Sequence, residues 1–303
     1  MGSYRMPPRL YYCDTHPIPL PPGHKFPVSK YALLRRLLEA EHDYDFQESP
    51  LAAVSAIELA HEPSYVRGFL EGTLDPRIMR RIGFPWSESL VRRTLASVGG
   101  TLAASISAIE DGFAGNLAGG THHAFRHEGS GFCVFNDIAI GIMNLRHNRQ
   151  VERAAVIDLD VHQGDGTASI FEGNPNVLTV SIHGENNFPF RKQRSCIDIG
   201  LPDGTEDENY LEQVSAVLPM IAGFRPSILY YQSGVDGLAE DRLGRLRLTH
   251  KGLMERDRLV LEFSRQNRIP LVITLGGGYA EPIARTVEAH ANTFRIAAHS
   301  FTF

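Results

Sequence analysis

Cysteine is scarce in this 303-residue chain: Cys13, Cys133 and Cys196 are the only three, and no spacing pairs them. That excludes a disulfide framework or a thiolate metal cluster and points to a reducing compartment, with the cysteines as small core or pocket residues. There is no run of about 18 uncharged apolar residues, so no membrane span is expected. The N-terminus lacks the basic-then-apolar order of a signal peptide, and a cytoplasmic protein is expected. Met6 stands where a myristoylation signal requires Ser or Thr. An excess of basic charge is also missing: 30 Lys and Arg face 35 Asp and Glu, a net charge of −5. Direct nucleic-acid binding is therefore not expected. The one basic cluster, Arg242, Arg245 and Arg247, is interleaved with Asp241 and apolar residues and reads as a solvated turn. No repeat, low-complexity tract or dividing linker occurs, and nothing marks an oligomeric state.

What is present is an alternation of short apolar runs with longer helical patterns. Strands are expected at residues 10–13, 116–118, 154–159, 177–182, 228–232 and 271–275. Helices are expected at 29–41, 88–111, 137–147, 207–222, 250–266 and 281–298. This pattern gives an α/β fold: a single-domain open, mainly parallel sheet flanked by helices on both faces. The proline-rich stretch 15–27 cannot be regular structure, because proline fixes its own dihedral and removes a donor; it reads as a surface or rim loop.

Chemistry concentrates at the ends of the apolar runs. The run Ala154-Ala155-Val156-Ile157 leads into Asp158-Leu159-Asp160-Val161-His162-Gln163-Gly164-Asp165-Gly166. On a strand alternate residues share a face, so Asp158, Asp160 and His162 would leave together. Carboxylate oxygen and imidazole nitrogen suit zinc, and iron(II) suits the same set. A catalytic site needs about three protein ligands and an open position. Asp160 and His162 supply two, and Asp236, at the end of Ile228-Leu229-Tyr230-Tyr231-Gln232-Ser233-Gly234-Val235-Asp236, is the candidate third. In isolation that Gly-x-Asp would read as a turn.

Gly119-Gly120-Thr121-His122-His123 offers two histidines for acid and base work, on a loop whose glycines let both face a cleft. Asp158 and Asp165 are the natural carboxylates to fix their tautomers. Leu271-Val272-Ile273-Thr274-Leu275-Gly276-Gly277-Gly278-Tyr279 is not a dinucleotide loop, since Glu281 stands where the third glycine of that fingerprint belongs. Its glycines instead bring backbone close to the site and present Tyr279 as a donor to a developing oxyanion.

Taken in order, these four motifs resemble the zinc-dependent histone deacetylase family, over nearly the whole chain. Ala60-His61-Glu62-Pro63-Ser64-Tyr65-Val66 and Gly131-Phe132-Cys133-Val134-Phe135-Asn136-Asp137 are further family blocks. The short length, Phe188-Pro189-Phe190 and Asp241-Arg242-Leu243-Gly244 look most like the class IV branch and its bacterial relatives. The resemblance implies an arginase-like fold, with 1–303 as one deacetylase-like catalytic domain. It implies zinc on Asp160, His162 and Asp236, an acid/base pair in His122 and His123 with Asp158 and Asp165 as charge partners, and Tyr279 as oxyanion donor. It also implies a structural potassium ion at Asp158, the Ser181 hydroxyl and the carbonyls of Asp160, His162 and Ile182. Phe171 and Val177 match a second, peripheral potassium site. Gly131, Phe132 and Phe188 match the walls of a tunnel for an acyl-lysine side chain, although both aromatics also suit an ordinary core.

Departures from the family pattern are small. Gln163 stands where some relatives carry a second histidine, and the proline-rich loop around His24-Lys25 has no counterpart outside the class IV branch. The implied activity is hydrolysis of an acyl group, acetyl or a longer fatty acyl, from the ε-amine of lysine in a protein or peptide. An acetylpolyamine amidohydrolase is the alternative within the same chemistry, favoured by an acidic residue at the tunnel mouth. A binuclear manganese ureohydrolase would need acids where Gly164 and Leu238 stand. A catalytically silent acyl-lysine binding module is the non-enzymatic alternative.

Overall fold

A computed structural model describes residues 7–41 and 44–301. Met6 and the outermost residues of the expected 1–303 domain lie outside that range. The sheet has eight strands: β1 (Arg9–Tyr12), β2 (Asp45–Glu48), β3 (Phe113–Asn116), β4 (Ala154–Asp158), β5 (Val177–Gly184), β6 (Ile197–Leu201), β7 (Ile228–Gln232) and β8 (Leu271–Thr274). Their spatial order is β2-β1-β3-β8-β7-β4-β5-β6, and every pairing is parallel. The α/β open sheet flanked by helices is thus the observed fold.

The interior strands are apolar at successive positions because both their faces are covered. Ala155, Ile157, Leu229, Tyr231, Leu271 and Ile273 pack in one core, under α1 (Ser29–Glu39), α8 (Asp207–Phe224), α9 (His250–Gln266) and α10 (Ala284–Phe301). Ala154, Val156, Ile228, Tyr230 and Val272 pack in the other, under α5 (Glu88–Asp111) and α6 (Asp137–His147). One-residue alternation divides each strand between the two cores.

The long helices begin where their sequences provide a cap. Ser87 Oγ accepts from Leu90 N (3.1 Å), Asn136 Oδ1 from Ala139 N (3.0 Å) and Thr249 Oγ1 from Gly252 N (3.0 Å). α10 starts three residues later than the pattern suggests.

Several sequence expectations need correction. β3 covers 113–116 rather than 116–118, since Leu117 and Ala118 already belong to the loop that leads to the histidines. β2 and β6 escaped the pattern because they are the half-exposed sheet edges and carry polar residues. Four short helices, α2 (Val54–Ile57), α3 (Pro63–Glu71), α4 (Pro76–Ile82) and α7 (Asp165–Phe171), were not anticipated either. The proline-rich stretch is irregular and lies at the cleft, with Phe26 packed on Phe84 and Phe132. Of the basic cluster, Arg242 pairs with Glu281 and Arg245 with Asp203 in exposed ion pairs. The three cysteines are free. Among the described residues no helix is long and apolar enough to cross a membrane.

Candidate active site

Sheet order gathers motifs that lie far apart in sequence. β3, β8, β7 and β4 are neighbours. From their carboxyl ends emerge, in that spatial order, the histidine pair, the Gly-Gly-Gly-Tyr turn, the Gly-Val-Asp loop and the Asp-x-His loop. Open α/β sheets place ligands above this edge.

β4 ends at Asp158, so Asp160 and His162 sit on a loop, not on the strand as the alternation implied. That loop is pinned through carboxylates: Asp158 Oδ1 accepts from Asp160 N (3.2 Å), and Asp236 Oδ1 accepts from Val161 N (2.9 Å). Asp158 turns away from the other two and takes His122.

Asp160, His162 and Asp236 converge, with one donor atom from each within 4.8 Å of the others. His162 Nδ1 lies 3.0 Å from Asp160 Oδ1 and 3.0 Å from Asp236 Oδ2. The second oxygen of each carboxylate is held by backbone: Asp160 Oδ2 accepts from Gly277 N (2.7 Å), and Asp236 Oδ1 from Val161 N. Burial alone would lower the His162 pKa, but Asp236 and Asp160 outweigh it and raise it to about 10. Two buried carboxylates focused on one imidazole nitrogen call for a cation, and this oxygen and nitrogen set fits a divalent metal. Gly277 keeps the centre open, since a Cβ there would come 1.9 Å from Asp236 Oδ2.

Beside this triad stand two histidine–aspartate pairs. His122 Nδ1 is 2.7 Å from Asp158 Oδ2, and His123 Nδ1 is 2.6 Å from Asp165 Oδ1. The loop carrying them is tied to the start of α6, where Asp137 accepts from Gly120 N (3.1 Å) and Thr121 N (2.8 Å). Their charges are driven apart. Burial opposes a proton on His122, but Asp158 and Asp160 prevail and raise its pKa to about 9. Burial and the neighbouring His122 lower that of His123 to about 4.

Tyr279 lines the same cleft as the triad and both histidines. Its backbone N donates to Asp241 Oδ2 (2.6 Å), which fixes the end of the turn. Burial, and then Asp236, hold its phenol pKa well above the ordinary value, so it remains a proton donor. Gly131, Phe132 and Phe188 line the cleft too. Phe188 meets the His123 ring edge-to-face at 4.9 Å. A Cβ on Gly131 would come 2.7 Å from His123 Cδ2, so only glycine fits there. The cavity amounts to about 590 Å³.

Ser181 lies beside Asp158 through the β4–β5 register, next to Ile182, and its hydroxyl is 3.0 Å from His183 Nδ1. Phe171 and Val177 flank a tight connection in which Phe171 O accepts from Asn174 N (2.9 Å).

Four supporting residues were missed in the sequence. Gln232 Nε2 lies 3.2 Å from both His122 Nδ1 and Asp160 Oδ2, so it bridges the two motifs. The signal for it was a polar residue closing an otherwise apolar strand. Arg256, fully buried, donates to Gly234 O (2.6 Å) and supports the loop that carries Asp236. Buried Lys30 donates to Gly276 O (3.0 Å), at the start of the tyrosine turn. His61 Nε2 accepts from Asn136 N (2.8 Å), beside the Asn136 side chain that reaches Ala124 O (3.2 Å).

His61 leads to a stability prediction. Burial lowers its pKa from 6.5 to about 4. Between those values the unfolded chain binds a proton that the folded chain does not. The stability present above the unfolded value is therefore lost as pH falls through the folded value, by about 3 kcal/mol in all. The urea midpoint should fall more steeply between neutral and acid pH in the native chain than in His61→Gln, which retains an acceptor for Asn136 N. Equal slopes would remove His61 as the cause.

Fold, parallel edge and buried oxygen/nitrogen triad define an α/β protein with a candidate divalent-metal site at the carboxyl edge of its sheet. The histone deacetylase domain signature matches residues 24–294, and the chain belongs to the histone deacetylase family. It is 44% identical over 297 residues to an uncharacterised protein of Picosynechococcus sp., covering 96% of this chain and 98% of that one. It is 31% identical over 298 residues to histone deacetylase 6 of Arabidopsis thaliana, covering 89% of this chain and 60% of that one. To histone deacetylase 2 of the same plant it is 34% identical over 194 residues, covering 63% and 50%. The chain thus spans about half the length of these named deacetylases.

Proposed function

We propose that this chain is a metal-dependent amidohydrolase that removes acyl groups, acetyl and longer, from the ε-amine of lysine in proteins or peptides. The observation that carries this reading is the convergence of Asp160 Oδ1, His162 Nδ1 and Asp236 Oδ2 beside two histidine–aspartate pairs, in a cleft lined by Phe132, Phe188 and Tyr279. Zinc is the ion proposed for the triad; iron(II) suits the same ligands. A divalent ion held there supplies Lewis-acid polarisation of the amide carbonyl and a water of lowered pKa.

The chain's own residues do the rest. His123, neutral and held through Nδ1 by Asp165, accepts the proton of the attacking water. His122, charged and held by Asp158, delivers a proton to the departing amine. Tyr279 donates to the oxygen on which negative charge develops. Removing that donor in Tyr279→Phe should raise the barrier by about 2–4 kcal/mol. The loss should appear in kcat with little change in KM, and near-full turnover would discard the role.

A structural potassium ion is proposed at Asp158, Ser181 and the carbonyls of Asp160, His162 and Ile182. The register that sets Asp158 beside Ser181 supports it. Phe171 and Val177 are proposed for a second ion.

The polyamine alternative is disfavoured by charge. Apart from the metal triad, the charged side chains lining the cleft are Arg81, Arg93 and Arg245, along with the histidines; Arg81 and Arg245 are paired with Glu128 and Asp203, and no acidic side chain outside the triad lines the cleft to favour a polycation. Acyl groups longer than acetyl are favoured by the apolar residues Ile18, Phe84, Leu90 and Val98 that line the cleft beside the triad. Each further buried methylene contributes about 0.8 kcal/mol.

The test is turnover of one lysine peptide carrying acetyl, lactyl, octanoyl or myristoyl, with acetyl-spermidine alongside. The lysine peptides should be cleaved, the longer acyl groups faster than acetyl. Cleavage of acetyl-spermidine alone would replace the substrate class, and silence on every amide would favour a binding module.

A further inference from the structure

The cleft carries a charge that the proposed chemistry leaves unused. The cavity that holds the triad is also walled by Ile18, Tyr31, Phe84, Leu90 and Val98, and Arg93 stands among them. Arg93 is 6% exposed, yet among the described residues no carboxylate pairs with it. A buried guanidinium without a counter-ion is costly. Arg93 is also rigidly held. Its Nη1 donates to Cys13 O (3.0 Å) and His16 O (3.4 Å), and its guanidinium carbon sits 4.5 Å from the centre of the Tyr31 ring. These contacts use one of its three nitrogens, and among the described residues Nε and Nη2 have no acceptor. Ser97, one helical turn further along α5, lines the same cavity and offers a hydroxyl on the same helix face.

Resting on the lysine-deacylase reading, we propose that the part of the cleft lined by Arg93 receives the carboxylate at the far end of an ω-carboxyacyl group on lysine, such as glutaryl or adipoyl. The reacting amide would lie at the triad, the methylenes along the apolar wall, and the terminal carboxylate against Arg93. A guanidinium presents donors in a fixed fork that matches a carboxylate, and such charge-assisted bonds are the strong ones. A purely hydrocarbon acyl chain long enough to reach Arg93 leaves that guanidinium desolvated and unpaired. This part of the cleft therefore selects by what the chain ends in, as well as by its length.

The test compares lysine peptides bearing glutaryl and adipoyl with those bearing pentanoyl and hexanoyl, which match them in carbon count but end in methyl, on the metal-loaded native protein and on Arg93→Gln and Arg93→Lys. For the native protein kcat/KM should favour the ω-carboxyacyl member of each pair by about ten- to a hundredfold, the worth of a hydrogen-bonded charge pair. The ratio should collapse in Arg93→Gln and recover in part in Arg93→Lys. No preference in the native protein, or an equal loss on both members of each pair in Arg93→Gln, would make Arg93 a strut for the 13–16 loop and overturn the proposal. Turnover of neither series would sink the deacylase reading, and calorimetry would then decide the subsite alone. Adipate should bind the native protein more tightly than hexanoate, with the difference lost in Arg93→Gln; equal binding would overturn the subsite.

Discussion

The double variant Asp160→Ala/His162→Ala is expected to bind no stoichiometric metal and to leave only background turnover. The native chain should carry one divalent ion at this site. The reason is geometric: His162 Nδ1 sits equally close to an oxygen of each carboxylate, so the double substitution removes two of three ligands and strands Asp236 as a buried carboxylate. Elemental analysis beside turnover checks both halves. Two metals per native chain would instead favour a binuclear ureohydrolase site. Undiminished turnover in the variant would remove the triad from the mechanism.

Replacing His123 with alanine should cost about 10²–10⁴-fold in kcat, the usual worth of a positioned general base. Nδ1 faces Asp165 at 2.6 Å, which keeps the proton there and leaves Nε2 as the lone-pair nitrogen. Burial and the charge of His122 keep His123 unprotonated near neutrality. Asp165→Asn should lose much of the same activity by releasing the tautomer, while metal content stays unchanged. Retention of metal separates this effect from damage to the triad. A His123→Ala variant with native kcat would transfer the base role to His122.

Much of the site was legible because function in this architecture gathers at strand ends. Apolar runs that stop in Asp, Gly or Gln marked the carboxyl edge before any strand order was known. The donor chemistry of Asp160, His162 and Asp236 follows from residue type alone. The partners of His122 and His123 could be named because only a few carboxylates adjoin the same strand end. Supporting residues were harder to see. Lys30 and Arg256 lie within helical patterns where a charged residue ordinarily faces solvent, yet both are buried against turns contributed by other strands. Arg93 escaped for the same reason.

The sequence alone determined the class of fold and singled out the candidate metal ligands and the candidate acid/base pair. Period, strand length and residue chemistry are local properties that survive without knowledge of neighbours. Tertiary structure decided what depends on adjacency. It ended β4 at Asp158, so that this carboxylate turns to His122 while Asp160 and His162 face Asp236. It set β3, β8, β7 and β4 side by side, so that residues more than a hundred positions apart share one cleft. It also buried Arg93 in the wall of that cleft, where among the described residues no carboxylate pairs with it. No local pattern encodes these outcomes, because they arise from the order in which strands pair and from which helix covers which face.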